Sequence, residues 1–172
     1  MPTTILHKEA PILRQIAKAL QIREITQPKA QKLLAQMHKI LARATDGVAL
    51  AAPQIGVGLQ IFVVSPKAFA EIKQSEPLVY INPTIVRRSR KKVLMEEGCL
   101  SVPNMFGIVE RHEKVTVEAY NENGKKFRRD GAGLLAEIFQ HETDHLKGLL
   151  FIDTAKNVRE VLPSQKNVAG EN

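Results

Sequence analysis

Residues 140–148 read Gln140-His141-Glu142-Thr143-Asp144-His145-Leu146-Lys147-Gly148. The two histidines are four residues apart, so on an α-helix they stand one turn from each other on the same face. Both imidazoles can then reach one metal ion, and Glu142 can reach a water molecule beside it. Residues 134–139 contain neither proline nor glycine, whereas Gly148 follows the last turn. The stretch therefore predicts an amphipathic, metal-binding helix that ends near Gly148.

Two inward-facing histidines can also be ordinary core residues whose ring nitrogens are satisfied by hydrogen bonds. The glutamate after the first histidine favours a metal site, because H-E-x-x-H supplies two ligands and a base from one helix face. Leu134 and Ile138 fall in the same stripe as His141 and His145, which turns the histidines towards the interior. A metal ion needs at least one more protein ligand, which the rest of the chain must supply.

The composition is that of a soluble globular protein. The chain has 172 residues, of which 44% are apolar and 25% charged, enough for one domain with a core and few for two. No apolar run reaches the roughly 18 residues that a membrane span requires. The first twenty residues mix charged and apolar side chains, so we expect no secretory signal. A single cysteine excludes an internal disulfide and fits a reducing cytoplasm.

The net charge of +7 suggests an anionic neighbour such as nucleic acid or a ribosome. The positive charge is concentrated in two runs, residues 87–92 and 125–129. Each run adjoins an expected strand, where a solvated turn is the commoner explanation, and neither has the interleaved aromatic residues of a single-strand binding surface. We therefore expect no sequence-specific nucleic-acid recognition.

Apolar spacing and turn residues predict the elements between these features. They are a short helix within 11–20, a helix over 28–44, strands at 61–64 and 78–82, a pairing of 84–86 with 93–95, a hairpin of 115–120 with 125–129, and helical turns within 154–162. Pro83 is expected to stop the strand at 78–82.

Two further segments stand out. Residues 47–54 consist of small and apolar residues that let another backbone approach closely, yet they end in the polar Gln54. A tight turn would explain the glycine but not Gln54, which needs partners if it is buried. Cys99 lies between two glutamates and a Ser-Val-Pro turn, an unusual setting for a cysteine that only fills the core.

Together the three segments resemble the peptide deformylases. That family carries G-φ-G-L-A-A-x-Q, E-G-C-L-S and Q-H-E-x-D-H-L in this order, which here correspond to 47–54, 97–101 and 140–146. The similarity covers roughly residues 5–155. It implies an α+β fold for a single domain spanning 1–172, with antiparallel sheets packed around a central metal-binding helix and a short C-terminal tail at 156–172.

The resemblance also implies an activity, the removal of the formyl group from the N-terminal formylmethionine of nascent polypeptides. Cys99, His141 and His145 would bind one divalent ion, with Fe²⁺ expected as the native metal and Zn²⁺, Ni²⁺ or Co²⁺ as alternatives. Glu142 would be the general base and then the acid that protonates the amine. The Gln54 side chain and the backbone N–H of Leu100 would stabilise the oxyanion.

The remaining implied roles concern the substrate. Residues 47–50, which are Gly47, Val48, Ala49 and Leu50, would pair with the peptide backbone, whereas Val48, Leu134, Ile138 and His141 would enclose the methionine side chain. Ala49 stands where the family commonly has its second glycine. Glu137 either edges this pocket or faces solvent, and we expect solvent because lone carboxylates are rarely buried. The partners expected are a nascent formylated peptide and, through the basic surface, a ribosome. The protein is expected to be a monomer in the cytoplasm or in an organelle with bacterial-type translation.

Two other classes of function stay open from the residues alone. An H-E-x-x-H peptidase that cuts internal bonds takes its third ligand downstream of the motif, where Asp153, Glu160 and Glu171 are available. A ribosome- or RNA-binding protein could retain the same shell without activity, although such a shell has no use for all five of Gln54, Cys99, His141, Glu142 and His145.

Overall fold

The computed structural model describes residues 4–69 and 78–161. Within these residues, two antiparallel sheets and two α-helices form the fold, which confirms the predicted α+β class. The larger sheet has the order β1 (Ala49–Ala51), β2 (Ile61–Val64), β3 (Val79–Arg88), β6 (Lys114–Tyr120) and β7 (Lys126–Ala132). The smaller sheet has the order β4 (Lys92–Cys99), β5 (Val102–His112) and β8 (Lys156–Glu160). The helices are α1 (Pro28–Arg43) and α2 (Leu134–Leu146), and short 3₁₀ turns occupy Pro11–Arg14, Ile22–Glu24, Ala52–Ile55, Pro66–Phe69 and Phe151–Asp153.

Strand β2, which lies between β1 and β3, is buried on both faces, and each face packs against a different helix. Ile61 and Val63 belong to the core that α1 covers, whereas Phe62 and Val64 belong to the core that α2 covers. Successive side chains of a strand point to opposite faces, so the continuous run Ile-Phe-Val-Val suits a strand between two layers. The alternation thereby places α2, with its motif, directly on the larger sheet.

Helix α1 follows its sequence prediction closely. It begins with Pro28 in its first turn, where a missing N–H costs nothing. Its buried side chains recur at helical spacing and form one stripe: Ala30, Leu33, Leu34, Met37, Ile40 and Leu41. The predicted helix over 28–44 is therefore confirmed to within one residue.

Helix α2 is held against the sheet by an aromatic cluster. The Phe139 ring lies 5.1 Å from the Tyr80 ring, which stacks on Phe62 with centroids 4.6 Å apart. Phe139 also packs on the backbone of β7 at Gly131, where an added Cβ would come within 2.9 Å of the ring. This close approach fixes the height of the helix above the sheet, and with it the position of the histidines that follow Phe139 by two and six residues.

Four local predictions were wrong, and two of them concern strand β3. Strand β3 does not stop before Pro83 but continues to Arg88, because its register shifts between Ile81 and Thr84 where it meets β6. Residues 84–86 do not pair with 93–95, because β3 pairs with β6 while β4 pairs with β5 in the other sheet.

The remaining corrections concern the two ends of the chain. Residues 156–160 form strand β8 on the edge of the smaller sheet instead of helical turns, and their burial pattern is exposed throughout. The expected helix within 11–20 is a single 3₁₀ turn over Pro11–Arg14. The hairpin of β6 and β7 and the strand at 61–64 are confirmed. The part of the chain that the structure describes holds no helix both long and apolar enough to cross a membrane.

Candidate metal centre

The structure brings Cys99, His141 and His145 together. Each offers one ligand atom, and these atoms all lie within 4.8 Å of one another. The two histidines come from one face of α2, as the spacing predicts. Cys99 ends β4 at a point where the register with β5 shifts between Gly98 and Cys99. Such an irregularity re-aims a side chain, which here places the sulfur 3.2 Å from Nε2 of His145.

A buried ion-pair network supports the first histidine. Nδ1 of His141 lies 2.9 Å from Oε2 of Glu97, and because a carboxylate can only accept, the ring nitrogen donates. The Glu97 carboxylate in turn receives two hydrogen bonds from Arg111, at 2.5 and 2.9 Å. The third guanidinium nitrogen of Arg111, Nη1, donates a hydrogen bond of 2.6 Å to Oδ2 of Asp144. With Nδ1 engaged, His141 presents Nε2 as its free ligand atom.

Sequence reasoning missed this network almost entirely. Glu97 was noted only as a neighbour of Cys99, and no pattern pointed to Arg111, which lies on β5. The two glutamates before Cys99 carried a signal, because a carboxylate next to a metal-binding residue often orients another ligand. Nothing in the sequence indicates which arginine completes the pair, since that depends on how β5 crosses α2.

The network sets the ionisation of its members. Burial opposes the charged form of Glu97, but Arg111 and His141 outweigh it, so the pKa of Glu97 lies below its usual value. The pKa of Arg111 is raised by its two carboxylate partners against the effect of burial. Burial lowers the pKa of His145 well below its usual value, which favours the neutral ring that binds metals.

Glu142 is buried beside the three ligands and borders the same cavity. Its Oε2 has no hydrogen-bond partner among the described residues. Burial raises the pKa of its carboxyl group to about 7. A buried carboxyl oxygen that faces a cavity without a partner is suited to a water molecule or a substrate group that donates to it. A pKa near neutrality lets the same group take up and release a proton.

Gln54 is fixed in one orientation. It lies in the 3₁₀ turn after β1, and its Oε1 accepts a hydrogen bond of 2.8 Å from the backbone N–H of Ala51. Its Nε2 therefore points the other way, 3.1 Å from Oγ of Ser101 and 3.6 Å from the sulfur of Cys99. The requirement that a buried Gln54 have partners is met. Ser101, to which the sequence analysis assigned no role, holds the amide donor beside the cluster.

A cavity of about 410 Å³ opens beside these groups. Most of the residues predicted to contact substrate lie in its wall, namely Gly47, Val48, Ala49, Leu134, Ile138 and His141, together with Leu100. Leu50 does not, because its side chain is fully buried in the core under α1. Its predicted role uses only the backbone and stays a prediction. Glu137 also lies in the wall, so the expectation that it faces away into solvent was wrong.

The donor set fits a divalent transition-metal ion. One thiolate and two neutral imidazoles are ligands that Zn²⁺, Fe²⁺, Co²⁺ and Ni²⁺ accept. A tetrahedral ion with bonds of about 2.0–2.3 Å to nitrogen and sulfur spaces such ligands by roughly 3.5 Å. The 3.2 Å between Cys99 and His145 is close to that spacing. Glu142, whose Oε2 has no hydrogen-bond partner among the described residues, lines the cavity together with Cys99 and His141.

Comparisons with known proteins identify the family of the chain. The family model described as polypeptide deformylase matches residues 2–161. A peptide deformylase of Desulforudis audaxviator is 44% identical over 148 residues, covering 86% of this chain and 90% of that protein. One from Pseudothermotoga lettingae is 42% identical over 150 residues, covering 87% of this chain and 80% of that protein.

Solved structures give the same result. A peptide deformylase of Synechococcus elongatus in complex with actinonin superposes with a TM-score of 0.78 at 38% identity, covering 91% of this chain and 82% of that one. A class I type b enzyme of Acinetobacter baumannii bound to Met-Ala-Ser gives a TM-score of 0.79 at 32% identity, with 89% and 98% covered. The chain belongs to the peptide deformylase family.

Proposed function

We propose that this chain removes the formyl group from the N-terminal formylmethionine of nascent polypeptides and releases formate. The observation that carries the proposal is that the ligand atoms of Cys99, His141 and His145 lie within 4.8 Å of one another, beside a cavity that Cys99, His141 and Glu142 line. In the reaction, water adds to the formyl carbon, the carbon–nitrogen bond breaks, and the nitrogen leaves as a free amine.

Cys99, His141 and His145 would hold one divalent metal ion, and Fe²⁺ is the ion that we propose for the native protein. When bound, this ion acts as a Lewis acid that polarises the formyl oxygen and lowers the pKa of water. The chain supplies the shape of the site. Glu97 orients His141 through Nδ1, and Arg111 keeps Glu97 ionised for that task.

Glu142 moves the proton. Its carboxylate accepts a proton from the attacking water and then gives it to the nitrogen as the amine departs. Burial supports both steps, because it raises the pKa of Glu142 to about 7, where neither form is strongly preferred near neutral pH. The side chain stands next to His141 in sequence but its Oε2 has no bond to the network, so it remains available to the reactants.

Gln54 and the backbone N–H of Leu100 stabilise the negative charge that grows on the formyl oxygen. Gln54 suits this role because its carbonyl end is occupied by Ala51, which leaves only the amide N–H groups directed towards Cys99. An amide donates a hydrogen bond without competing as a base. Leu100 follows the ligand Cys99 directly and lines the same cavity.

The substrate backbone would add to the edge of the larger sheet. Strand β1 is the end strand of that sheet, so one side of its backbone is not paired within the sheet. An extended peptide can pair with such an edge through Val48 and its neighbours, as other peptide-binding domains do. The methionine side chain would then enter the apolar wall formed by Val48, Leu134, Ile138 and the ring of His141.

Among the described residues, no downstream carboxylate groups with His141 and His145 as the rival peptidase assignment requires, and Glu171 lies outside those residues. Asp153, the nearest downstream candidate, pairs with Arg14 at 2.6 Å and accepts a hydrogen bond from the backbone of Leu150. Instead, Cys99 at the end of strand β4 would be the third metal ligand. Formate release from formyl-Met-Ala-Ser, measured beside cleavage of an unformylated peptide, distinguishes the functions. We expect formate and no internal cleavage, whereas cleavage of the unformylated peptide would establish the rival.

Association with the ribosome is a separate part of the proposal, and the distribution of ion pairs supports it. Several cations in the basic runs are neutralised: Lys91 by Glu113, Lys92 by Glu110, and both Lys126 and Arg128 by Glu118. Four other cations have no ion pair with any residue that the structure describes, and they line one cleft of about 790 Å³: Arg87, Arg88, Arg90 and Lys114. Unpaired cations in a concave surface suit the phosphates of RNA.

The test compares two double variants that remove the same charge. Arg88→Gln with Arg90→Gln removes two of the four unpaired cations of the cleft, while Lys126→Gln with Arg128→Gln removes two cations that Glu118 already neutralises. Co-sedimentation with bacterial ribosomes at several salt concentrations should show weaker binding and a shallower salt dependence, by about one per lost phosphate contact, for the cleft variant alone. Equal losses in both variants would show that only net charge matters.

A further inference from the structure

Glu137 occupies a position in the cavity that the proposed reaction does not use. It lies on α2 one turn before His141, so the two side chains share a face with Leu134, three residues earlier, and adjoin Ile138. All four residues line the cavity. The wall assigned to the first side chain of the substrate is therefore apolar apart from His141 and one carboxyl group.

The carboxyl group of Glu137 is available to a ligand. It makes no hydrogen bond or ion pair with any residue in 4–69 or 78–161. The nearby cation Arg111 cannot serve it, because all three arms of that guanidinium are engaged with Glu97 and Asp144. The side chain is half-buried, and burial, with a smaller effect of the charge on Glu97, raises the pKa of Glu137 to about 7.

We propose that Glu137 is a specificity-determining residue that gives this pocket a hydrogen-bonding end, so that the site accepts formylated peptides beginning with glutamine as well as methionine. The inference rests on the proposed function, whose substrate it makes more specific. Glutamine and methionine have unbranched side chains of similar length. The shape of the pocket therefore distinguishes them poorly, and its polarity determines which of the two it prefers.

The chemistry of a carboxyl group makes it suitable for an amide. A carboxylate accepts a hydrogen bond from the glutamine NH₂, and a neutral carboxyl group donates one to the glutamine oxygen. Glu137 can therefore form a hydrogen bond with a glutamine side chain whether its carboxyl group is ionised or neutral. A wholly apolar pocket offers none, and such pockets discriminate by about 10²-fold between a side chain and a polar analogue of the same shape. With Glu137 present, that discrimination should shrink.

Asp46 provides a matched control. It is the other acidic residue in the cavity wall besides Glu142, but it comes from the loop before β1 and not from α2. A change that acts through the overall negative potential of the cavity should appear at Asp46 as well. A change that acts through a local hydrogen bond should appear at Glu137 only.

The experiment measures kcat/KM for formyl-Met-Ala-Ser and formyl-Gln-Ala-Ser. For the unmodified protein we expect the two values to lie within about tenfold, and a preference for methionine above about 10²-fold, the value for an apolar pocket, would overturn the proposal. Glu137→Leu should raise the preference for methionine at least about tenfold. Glu137→Gln, which keeps a polar end, and Asp46→Asn should each leave the preference nearly unchanged. An unchanged preference in Glu137→Leu, or an equal rise in Asp46→Asn, would contradict it.

A binding measurement separates failure of the proposal from failure of the proposed function. Calorimetry gives the affinities of the unformylated peptides Met-Ala-Ser and Gln-Ala-Ser for the same variants. If no formate is released with any metal, the function is wrong. The ratio of the two affinities, and its change in Glu137→Leu, then still decides whether Glu137 recognises a polar side chain.

Discussion

Nδ1 of His141 donates a hydrogen bond to the Glu97 carboxylate over 2.9 Å, and this bond joins the candidate metal ligand His141 to a chain of charges that runs through the buried Arg111 to the half-buried Asp144. Asp144 lies on the same helix as His141, so the chain of contacts leaves α2, crosses to β4 and β5, and returns. The orientation of the imidazole is therefore set by three elements together. A ligand held in this way loses little freedom when a metal binds.

Replacing Glu97 by glutamine should weaken both metal binding and the fold. Glutamine keeps the size of the side chain but leaves the buried Arg111 without its main counter-charge, which typically costs about 3–5 kcal/mol. Metal affinity should fall about 10–100-fold because Nδ1 of His141 loses its negatively charged hydrogen-bond acceptor. Denaturant unfolding of the apoprotein and competition with a chelator measure the two effects. Glu96→Gln is the control, because Glu96 forms only an exposed ion pair with Arg159 and should change stability by less than about 1 kcal/mol.

Gln54→Leu should lower kcat by about 10²–10³-fold while the metal remains bound, because it removes the donor that we propose stabilises the oxyanion. Ser101→Ala should have a smaller effect of the same kind, since Ser101 only holds the Gln54 amide in place at 3.1 Å. Steady-state kinetics beside metal analysis test both variants. A larger loss for Ser101→Ala than for Gln54→Leu would reverse these roles.

Gly131→Ala should destabilise the protein, because the new methyl group would lie 2.9 Å from the Phe139 ring and 3.1 Å from the backbone nitrogen of Ala136. Overpacking of this kind typically costs about 1–3 kcal/mol. Lifting α2 off the sheet would also move the histidines, so metal affinity should fall with stability. Gly58→Ala is the control, since the nearest atom there is 3.9 Å away. Similar melting temperatures for the two variants would show that the helix has room to move.

The metal should determine the response to air. Fe²⁺ beside a thiolate is open to oxidation, and Cys99 has no second cysteine with which to form an internal disulfide. We expect the Fe²⁺ form to lose activity in air while the Ni²⁺ form keeps it, and the Zn²⁺ form to turn over more slowly. One apoprotein stock reloaded with each ion, with Cys99 oxidation followed by mass spectrometry, makes the comparison. Equal air stability of the iron and nickel forms would refute this explanation.

The local features of the fold were predictable because each depends on residues close in sequence. The periodicity of 28–43 and of the helix bearing His141 determined both helices, and the Asn-Gly signal at 123–124 gave the hairpin of β6 and β7. The pairing of β4 with β5 was missed because partner choice depends on the whole sheet and not on the strand itself. Pro83 misled in the same way, because the register shift beside it removes the usual penalty for proline in a strand.

In the site, too, features that depend on residues close in sequence were predictable, and features that depend on tertiary contacts were not. His141, His145 and Glu142 were predicted from their spacing in one motif, whereas Cys99 was predicted from the resemblance to the family. Arg111 was missed because a buried arginine has no local signature. The register partner of Glu97 on β5 is Gly107, so the ion pair between Glu97 and Arg111 depends on the tertiary arrangement and not on strand pairing alone. Glu137 was misplaced because a general preference of carboxylates for solvent does not account for a cavity on that helix face.

The central claim is that Glu142 is the proton-transferring group and not a metal ligand, and Glu142→Gln tests it most directly. The variant keeps the size of the side chain and removes its ability to carry a proton. Metal content and formate release should be measured on the same preparation. We predict an unchanged metal content with a loss of turnover of at least about 10²-fold. Turnover above about a tenth of the original value, or loss of the metal, would contradict the account.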